Sequence, residues 1–469
     1  MTVNESAVQG SSSRTEGLPN TSILGYGAGN FGFALLGLVV AVNLQFFYTD
    51  FVGLSAGLVA WSLLFARLFD SITDPVMGYL SDRTNTRFGR RRPYIIGAAI
   101  PLAIAFYFLF TPPSFEDPAN NQGYLLFYMM SLYILTYFIW TVGAIPYYSL
   151  GAELTDDYHE RVKVIAVRET CALVGLLVAT ISPAYLIYVY GGIQGYSFMG
   201  LILGGGVAIF LIFAGVVSKE RGEFQGRPAM NPYAGWIATF SNPHFRRLLI
   251  AFVFSSIAAA VPAVLVIYVS VYIIGTPDWW VNAVPGWLPT WSYYLLLYFL
   301  SGIISLPFWN RLSQRIGKRN TWLAAIVISS ITSAGCWWLD DGSVGFFSVL
   351  LVFGGFAFGN FLALPPSMVA DVIDWDEVET SKRREGSYFA IWAFTTKLGA
   401  AITGFVALQV LEHVGYVPGV AQTELVKTWM LWMYSWFPAA FYFLSAVTLL
   451  RFSFTQEELQ IVQAQLGRQ

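Results

Sequence analysis

Long apolar stretches separated by short polar connections organise nearly the whole chain. They run over roughly 23–48, 53–80, 94–112, 122–150, 164–190, 195–218, 248–275, 288–310, 321–339, 343–370, 386–411 and 428–452. Most are close to the ~20 residues a helix needs to cross the hydrocarbon core. The pattern therefore predicts an all-α membrane protein with about twelve transmembrane helices. The longest hydrophilic connection inside the array, 219–247, divides it into two sets of six. The expected organisation is a disordered cytoplasmic tail over 1–20, a six-helix bundle over 21–218, a central cytoplasmic loop over 219–247, a second six-helix bundle over 248–455 and a cytoplasmic tail over 456–469. The first residues are polar and rich in Ser and Gly, without the charged start, apolar core and cleavage site of a signal peptide.

Composition agrees. Only 12% of the 469 residues are charged, against roughly a quarter in soluble domains. The net charge of −2, with no basic tail, gives no sign of nucleic-acid binding. Cys171 and Cys336 fall in apolar runs and read as buried thiols without a disulfide framework. With two Cys and three His, a metal centre of thiols and imidazoles is not expected.

Charge fixes the expected orientation. Arg83, Arg87, Arg90, Arg91 and Arg92 follow the second helix; Arg161 and Lys163, Lys219 to Arg247, Arg311 to Arg319 and Lys382 to Arg384 fill the other loops on that side. The opposite loops hold Glu116, Asp117, Asp278, Asp340 and Asp341, with Lys427 as their one cation. By the positive-inside rule both termini face the cytoplasm. Trp279, Trp280, Trp287 and Trp291 cluster where an outer aromatic belt belongs.

The second helix carries Arg67, Asp70, Thr73 and Asp74. Spacings of three, four and seven place Arg67, Asp70 and Asp74 on one helical face. Ionisable groups at membrane depth are costly and mark ion or substrate pathways. Two carboxylates one turn apart repel unless a cation or proton lies between them. A structural ion pair that pins the helix is the bland reading, but Arg67 alone leaves one carboxylate uncompensated. The expectation is a site for Na⁺ or H⁺ between Asp70 and Asp74.

The two halves repeat. Gly78-Tyr-Leu-Ser-Asp82-Arg83 and Arg87-Phe-Gly89-Arg90-Arg91 follow the second helix; Asn310-Arg311-Leu-Ser-Gln-Arg315-Ile-Gly317-Lys318-Arg319 follows the eighth. Internal repeats of this kind mark many secondary transporters. The Gly-x-x-x-Asp-Arg…Gly-Arg-Arg pattern resembles the hallmark loop of the major facilitator superfamily. Tyr48-Thr-Asp50-Phe-Val-Gly-Leu-Ser, Ala66-Arg67 through Asp74-Pro75-Val-Met-Gly78, and Met368-Val-Ala-Asp371-Val-Ile-Asp374 resemble, more narrowly, the glycoside–pentoside–hexuronide:cation symporters, of which the melibiose carrier is the best-known member. The likeness runs from about Leu24 to Gly419.

The resemblance implies cation-coupled symport of a sugar, glycoside or uronate by alternating access. It implies that Asp70 and Asp74 hold the cation with help from Thr141 and Thr73, the latter standing where the melibiose carrier has asparagine. It implies that Lys397 and Arg168 lie near the substrate, with Tyr148 beside the sugar. Trp392 is a further aromatic candidate for the cavity. Two acids of the galactoside-binding members are replaced by Ala34 and Ala144, which removes galactoside recognition by carboxylates and makes the cavity less acidic. An anionic glycoside or uronate would suit that change. Lipid-carrying relatives share the Asp-x-x-Thr-Asp-Pro pattern, so a lysolipid is the competing substrate.

Other readings stay open for particular residues. Lys397 is a salt-bridge partner for the carboxylate pair, a substrate contact, or each in turn. Asp82, Arg83, Arg90, Arg91, Asp371, Asp374, Arg383 and Arg67 read as gating or structural groups, the cytoplasmic pairs holding an outward-open form together. Gly25, Gly27, Gly29 and Gly32 read as close helix packing. A membrane polyprenyl transferase holding Mg²⁺ and diphosphate on Asp70, Asp74, Asp371, Asp374 and Asp376 is the remote enzyme alternative, and a non-transporting sensor a third class. The expected setting is the bacterial inner membrane, as a monomer among lipids with no cofactor beyond the coupling ion. A fluorescent protein fused after Gln469 should light up inside the cell, and alkaline phosphatase fused there should be inactive; the reverse result would invert the assigned orientation.

Overall fold

The computed structural model describes residues 18–465 apart from 152–153, 156–157, 219, 221–238, 381–383 and 455. Twelve described helices are long and apolar enough to cross a membrane. In the first half these are α1 (Asn20–Phe46), α2 (Ala56–Arg83), α3 (Arg92–Leu109), α4 (Gln122–Gly151), α5 (Tyr158–Tyr190) and α6 (Gly192–Val217). In the second they are α7 (Pro243–Val269), α8 (Thr290–Ile316), α9 (Lys318–Gly335), α10 (Val344–Thr380), α11 (Glu385–His413) and α12, which breaks at Ser435 into Glu424–Tyr434 and Trp436–Leu450. Five-residue π-helical segments, Phe47–Phe51 and Ser270–Ile274, extend α1 and α7.

Each half packs on itself, α1 against α5 and α6 and α3 against α6, then α8 against α10 and α12 against α7. Three helix pairs join the halves: α1 with α7, α2 with α11 and α5 with α8. The repeat is visible in hydrogen bonds. Arg92 donates through Nε to the Gly215 carbonyl (2.6 Å) and through Nη2 to that of Val216 (3.0 Å), closing the end of α6. Arg319 does the same for α12, from Nε to Leu449 (3.2 Å) and from Nη2 to Leu450 (2.6 Å). An arginine opening one helix thus satisfies the orphan carbonyls ending another.

Several boundaries differ from the hydropathy reading. The tail expected over 1–20 falls largely outside the described residues, and Asn20 already opens α1. The central loop ends early, because Asn242 caps α7: its side chain accepts from the backbone N–H of His244 (2.9 Å) and Phe245 (3.1 Å), and Pro243 takes the first turn. The tail expected over 456–469 contains a helix, Gln456–Gln465. The polar end of α10 stays helical to Thr380 because Asp371 and Asp376 are paired, with Lys318 and Arg384 respectively.

Small residues set the closest crossing. A Cβ at Gly302 would lie 3.1 Å from the Gly355 carbonyl oxygen, and one at Gly355 would collide with the Tyr298 carbonyl. Close approach of this kind is how membrane helices gain packing energy when both faces are already apolar. Gly355→Ala should lower the melting temperature of the purified protein, through overpacking of about 1–3 kcal/mol. Gly205→Ala, where a Cβ meets nothing within 4 Å, should leave it near wild type, and equal melting points for the two variants would refute the packing account.

Candidate functional site

Asp70 and Asp74 stand one turn apart on α2, and the Asp70 side chain is fully buried. From α4, the Thr141 hydroxyl lies 2.7 Å from Asp70 Oδ1 and 2.9 Å from Asp74 Oδ1. It has one proton, so it serves one carboxylate at a time. From α11, in the other half, Lys397 Nζ lies 2.8 Å from Asp70 Oδ2 and is bonded to Asp74 Oδ2. Arg67 sits with Nη1 4.0 Å from Asp70 Oδ2, while its Nη2 donates to the Tyr137 hydroxyl (2.7 Å) and its guanidinium lies 4.1 Å from the centre of that ring.

Two cations therefore face two carboxylates. The charge that Arg67 could not balance alone is supplied by Lys397, across 323 positions of sequence. Carboxylates and a hydroxyl are all oxygen donors, the chemistry a hard monovalent cation prefers; the two Oδ2 atoms meet the ammonium and the two Oδ1 atoms meet the hydroxyl. Among the described residues no group of three or more His, Cys, Asp or Glu is placed to hold a metal ion. The Thr73 hydroxyl donates to the Asp70 backbone carbonyl (3.1 Å) along its own helix, which leaves its oxygen lone pairs available.

A second polar group lies on the inner helices of the first half. Arg168 of α5 pairs with Glu169, and its guanidinium is 5.5 Å from the centre of the Tyr148 ring. The Tyr148 hydroxyl donates to Asn30 Oδ1 (3.2 Å), and Asn30 Nδ2 donates to the Arg168 carbonyl (3.3 Å), tying α1, α4 and α5 together. Tyr148 remains 41% exposed and the Glu169 side chain 54%, so this cluster presents donors, acceptors and a flat ring to solvent. Ala34 and Ala144 are in place of the acids as expected, Ala144 buried. Glu169 and Asn30 were missed in the sequence; the adjacent Arg-Glu pair inside an apolar helix was the available signal.

Trp392 is different. It stacks on Phe252, ring centres 3.5 Å apart, and is 7% exposed, so it has no face free for a substrate. That corrects its place among the candidate contacts, and the cause is the aromatic core between α7 and α11.

The arginine-rich loops also read differently in three dimensions. Asp82 meets Arg91 (3.2 Å) and Arg90 (3.6 Å) within the first half. Glu220 accepts from the backbone N–H groups of Arg90, Arg91 and Arg92 at 2.6, 2.7 and 2.7 Å. Arg83 lies over the Tyr79 ring at 4.2 Å. In the second half Lys318 pairs with Asp371 (2.7 Å) and Arg384 with Asp376 (2.7 Å); Asp374 sits between them on α10. Each of these pairs joins groups of one half and so braces the loops of that half. Arg383 lies outside the described residues.

Comparison with known proteins bears on the family and the fold. The sequence profile of the MFS/sugar transport protein family matches residues 25–456. The chain is 31% identical to the uncharacterized symporter YnaJ of Bacillus subtilis (strain 168), over 85% of this chain and 84% of that protein. It is 27% identical to the isoprimeverose transporter of Lactiplantibacillus pentosus, over 92% and 88%. Its fold matches the crystal structure of the nucleoside transporter NupG with a TM-score of 0.62 at 15% identity, covering 92% of this chain and 98% of that one. Twelve apolar helices and bacterial symporter relatives make it a multi-pass protein of the bacterial plasma membrane, and a secondary transporter of a small molecule. Its family is that of the MFS sugar transport proteins, the glycoside–pentoside–hexuronide type of facilitator, to which the chain belongs.

Proposed function

We propose that this protein is a cation-coupled symporter of a sugar or glycoside, working by alternating access, with both termini in the cytoplasm. The observation that carries the reading is Lys397, an ammonium from the second half seated between two carboxylates of the first. A monovalent cation binding there competes with Lys397 for the same oxygens. Once displaced, the lysine is free to reach a substrate in the neighbouring space, so cation and substrate raise each other's affinity by the same factor. Na⁺ and H⁺ both satisfy the charge requirement.

Arg168, Glu169, Tyr148 and Asn30 form the substrate side of this proposal. Paired Arg and Glu offer donors and acceptors suited to vicinal hydroxyls, and the Tyr148 ring offers a flat face for a sugar. Because Glu169 already balances Arg168, the cluster favours a neutral sugar or glycoside over a uronate. The name of the isoprimeverose transporter among the relatives supports the same class.

In proteoliposomes, Asp70→Asn or Asp74→Asn should abolish gradient-driven sugar uptake while leaving insertion intact; full Na⁺- and H⁺-driven accumulation by either variant would refute the cation site. Lys397→Ala leaves the carboxylates facing Arg67 alone. Its melting temperature should fall below wild type in Na⁺-free buffer, then recover with Na⁺ or as the pH is lowered, since either cation cancels the excess negative charge. A melting temperature indifferent to both would separate Lys397 from the cation site. Melting temperatures against neutral glycosides, uronates and lysolipids, each with and without Na⁺, identify the substrate: a shift from lysolipids alone would move the protein to the lipid-carrying branch.

A further inference from the structure

At the end of the bundle opposite the arginine loops, Asp50 has no role in the site above. It lies in the π-helical extension of α1, partly buried. Tyr416, in the loop after α11, places its hydroxyl 2.7 Å and 2.8 Å from the two carboxylate oxygens. Tyr272, in the π-helical extension of α7, donates to Oδ1. Thr49 donates to Oδ2 (2.6 Å) and its hydroxyl also meets that of Tyr268 at 2.8 Å. The N–H of Gly419 donates to the Tyr272 hydroxyl (2.9 Å). Among the described residues no lysine or arginine is ion-paired with Asp50. Burial holds the Tyr416 phenol far above its usual pKa, so it remains a donor.

The placement follows the internal repeat. Gly53 (φ +79°) ends the first π-helical extension and Gly275 (φ +66°) the second, and both turns need the left-handed backbone glycine allows. Asp50 and Tyr272 each stand three residues before their glycine. The acid and the phenol thus hold like places before their glycines, and the bond between them joins the two halves. π-Helical turns are uncommon and concentrate at functional sites. Neutral bonds cross the same end: Gln45 Nε2 to the Ala263 carbonyl (3.4 Å), Gln409 Nε2 to that of Gly57 (3.1 Å) and Ser292 to that of Thr180 (2.8 Å).

We infer that Asp50 is the latch of the outer gate, its carboxylate clamped by Tyr272 and Tyr416 of the second half so that outward opening must break these bonds. The inference rests on alternating access as proposed above. Hydrogen bonds to a charged acceptor are the strong kind, each able to bias a two-state ratio by roughly tenfold. Freed of its phenols, Asp50 would be exposed to the outer solution, which recovers its hydration and makes the latch reversible.

The test is a distance across the gate. Exposed positions Ala119 in the first half and Asp341 in the second are changed to cysteine and spin-labelled in a Cys171→Ser background, and pulsed electron resonance reads the distance in nanodiscs. Asp50→Ala, and separately the shape-preserving pair Tyr272→Phe with Tyr416→Phe, should each raise the ratio of long- to short-distance populations roughly a hundredfold over the unmodified protein, about tenfold for each of the two phenol bonds removed. Asp340→Ala is the control, because that carboxylate bonds to Ser343 of its own turn. Unchanged distances in both latch variants, each still melting cooperatively, would overturn the latch, as would equal opening by the control. Alternating access is read separately: labelled protein with intact Asp50 that keeps one distance under every combination of Na⁺, H⁺ and sugar would overturn that reading, whatever the latch variants do.

Discussion

Two carboxylates one helical turn apart, inside a medium that solvates neither, are the constraint around which the rest of this protein is arranged. Burying them uncompensated would cost several kcal/mol for each ion. The chain answers with Arg67 on the same helix, held in place by the Tyr137 hydroxyl and ring. It answers also with Lys397 from the other half, since α2 itself carries no further basic residue before Arg83 at its end. The contact between α2 and α11 thus carries an electrostatic component at Lys397, beside the Trp61–Phe405 ring contact and the bonds of Gly57 with Glu412 and Gln409.

Most of the fold was legible because it answers to one rule. A bilayer admits backbone only when its polar groups are internally satisfied, so the spans had to appear as apolar runs. Where polar residues continue a helix, that rule says nothing. The end of α10 and the start of α7 depend on Asp371, Asp376 and the Asn242-Pro243 cap, which hydropathy scores as loop. The π-helical turns left no trace in composition; only the glycines at 53 and 275 hinted at an ending. In the site, the Asp70–Asp74 pair was legible because spacing and type limit what two carboxylates on one helical face can do, whereas Thr141 came only from the family resemblance. The burial of Trp392 was not legible, since a tryptophan stacks on whatever ring is near.

The halves repeat in backbone and diverge in chemistry. Arg92 and Arg319 perform the same capping, and Gly53 and Gly275 end the same turn. Yet the first half carries the acids of both inter-half clusters, Asp70 and Asp74 at mid-depth and Asp50 at one end. The second half answers with Lys397, Tyr272 and Tyr416. In these two clusters the carboxylates stand on the first half and their cross-half donors on the second, so a shifted register would leave those carboxylates without their donors.

Depth separates what the two clusters can do. The mid-depth cluster is balanced, two cations against two carboxylates, so an entering cation leaves an ammonium in excess and must evict Lys397 or a proton. Among the described residues the Asp50 cluster has no cation to exchange; its donors are hydroxyls, and only motion can break it. On the proposed mechanism, a cation that displaced Lys397 would loosen α11 from α2 without touching the bonds between Asp50 and the phenols. Coupling then requires that the two events share a rigid body. The described contacts provide one, since α7, which leads into Tyr272, packs directly against α11, which carries Lys397. On the proposed mechanism, a change in where Lys397 rests would be transmitted along that pair to the far end of the bundle, where Tyr416 follows α11 in the chain and Tyr272 follows α7.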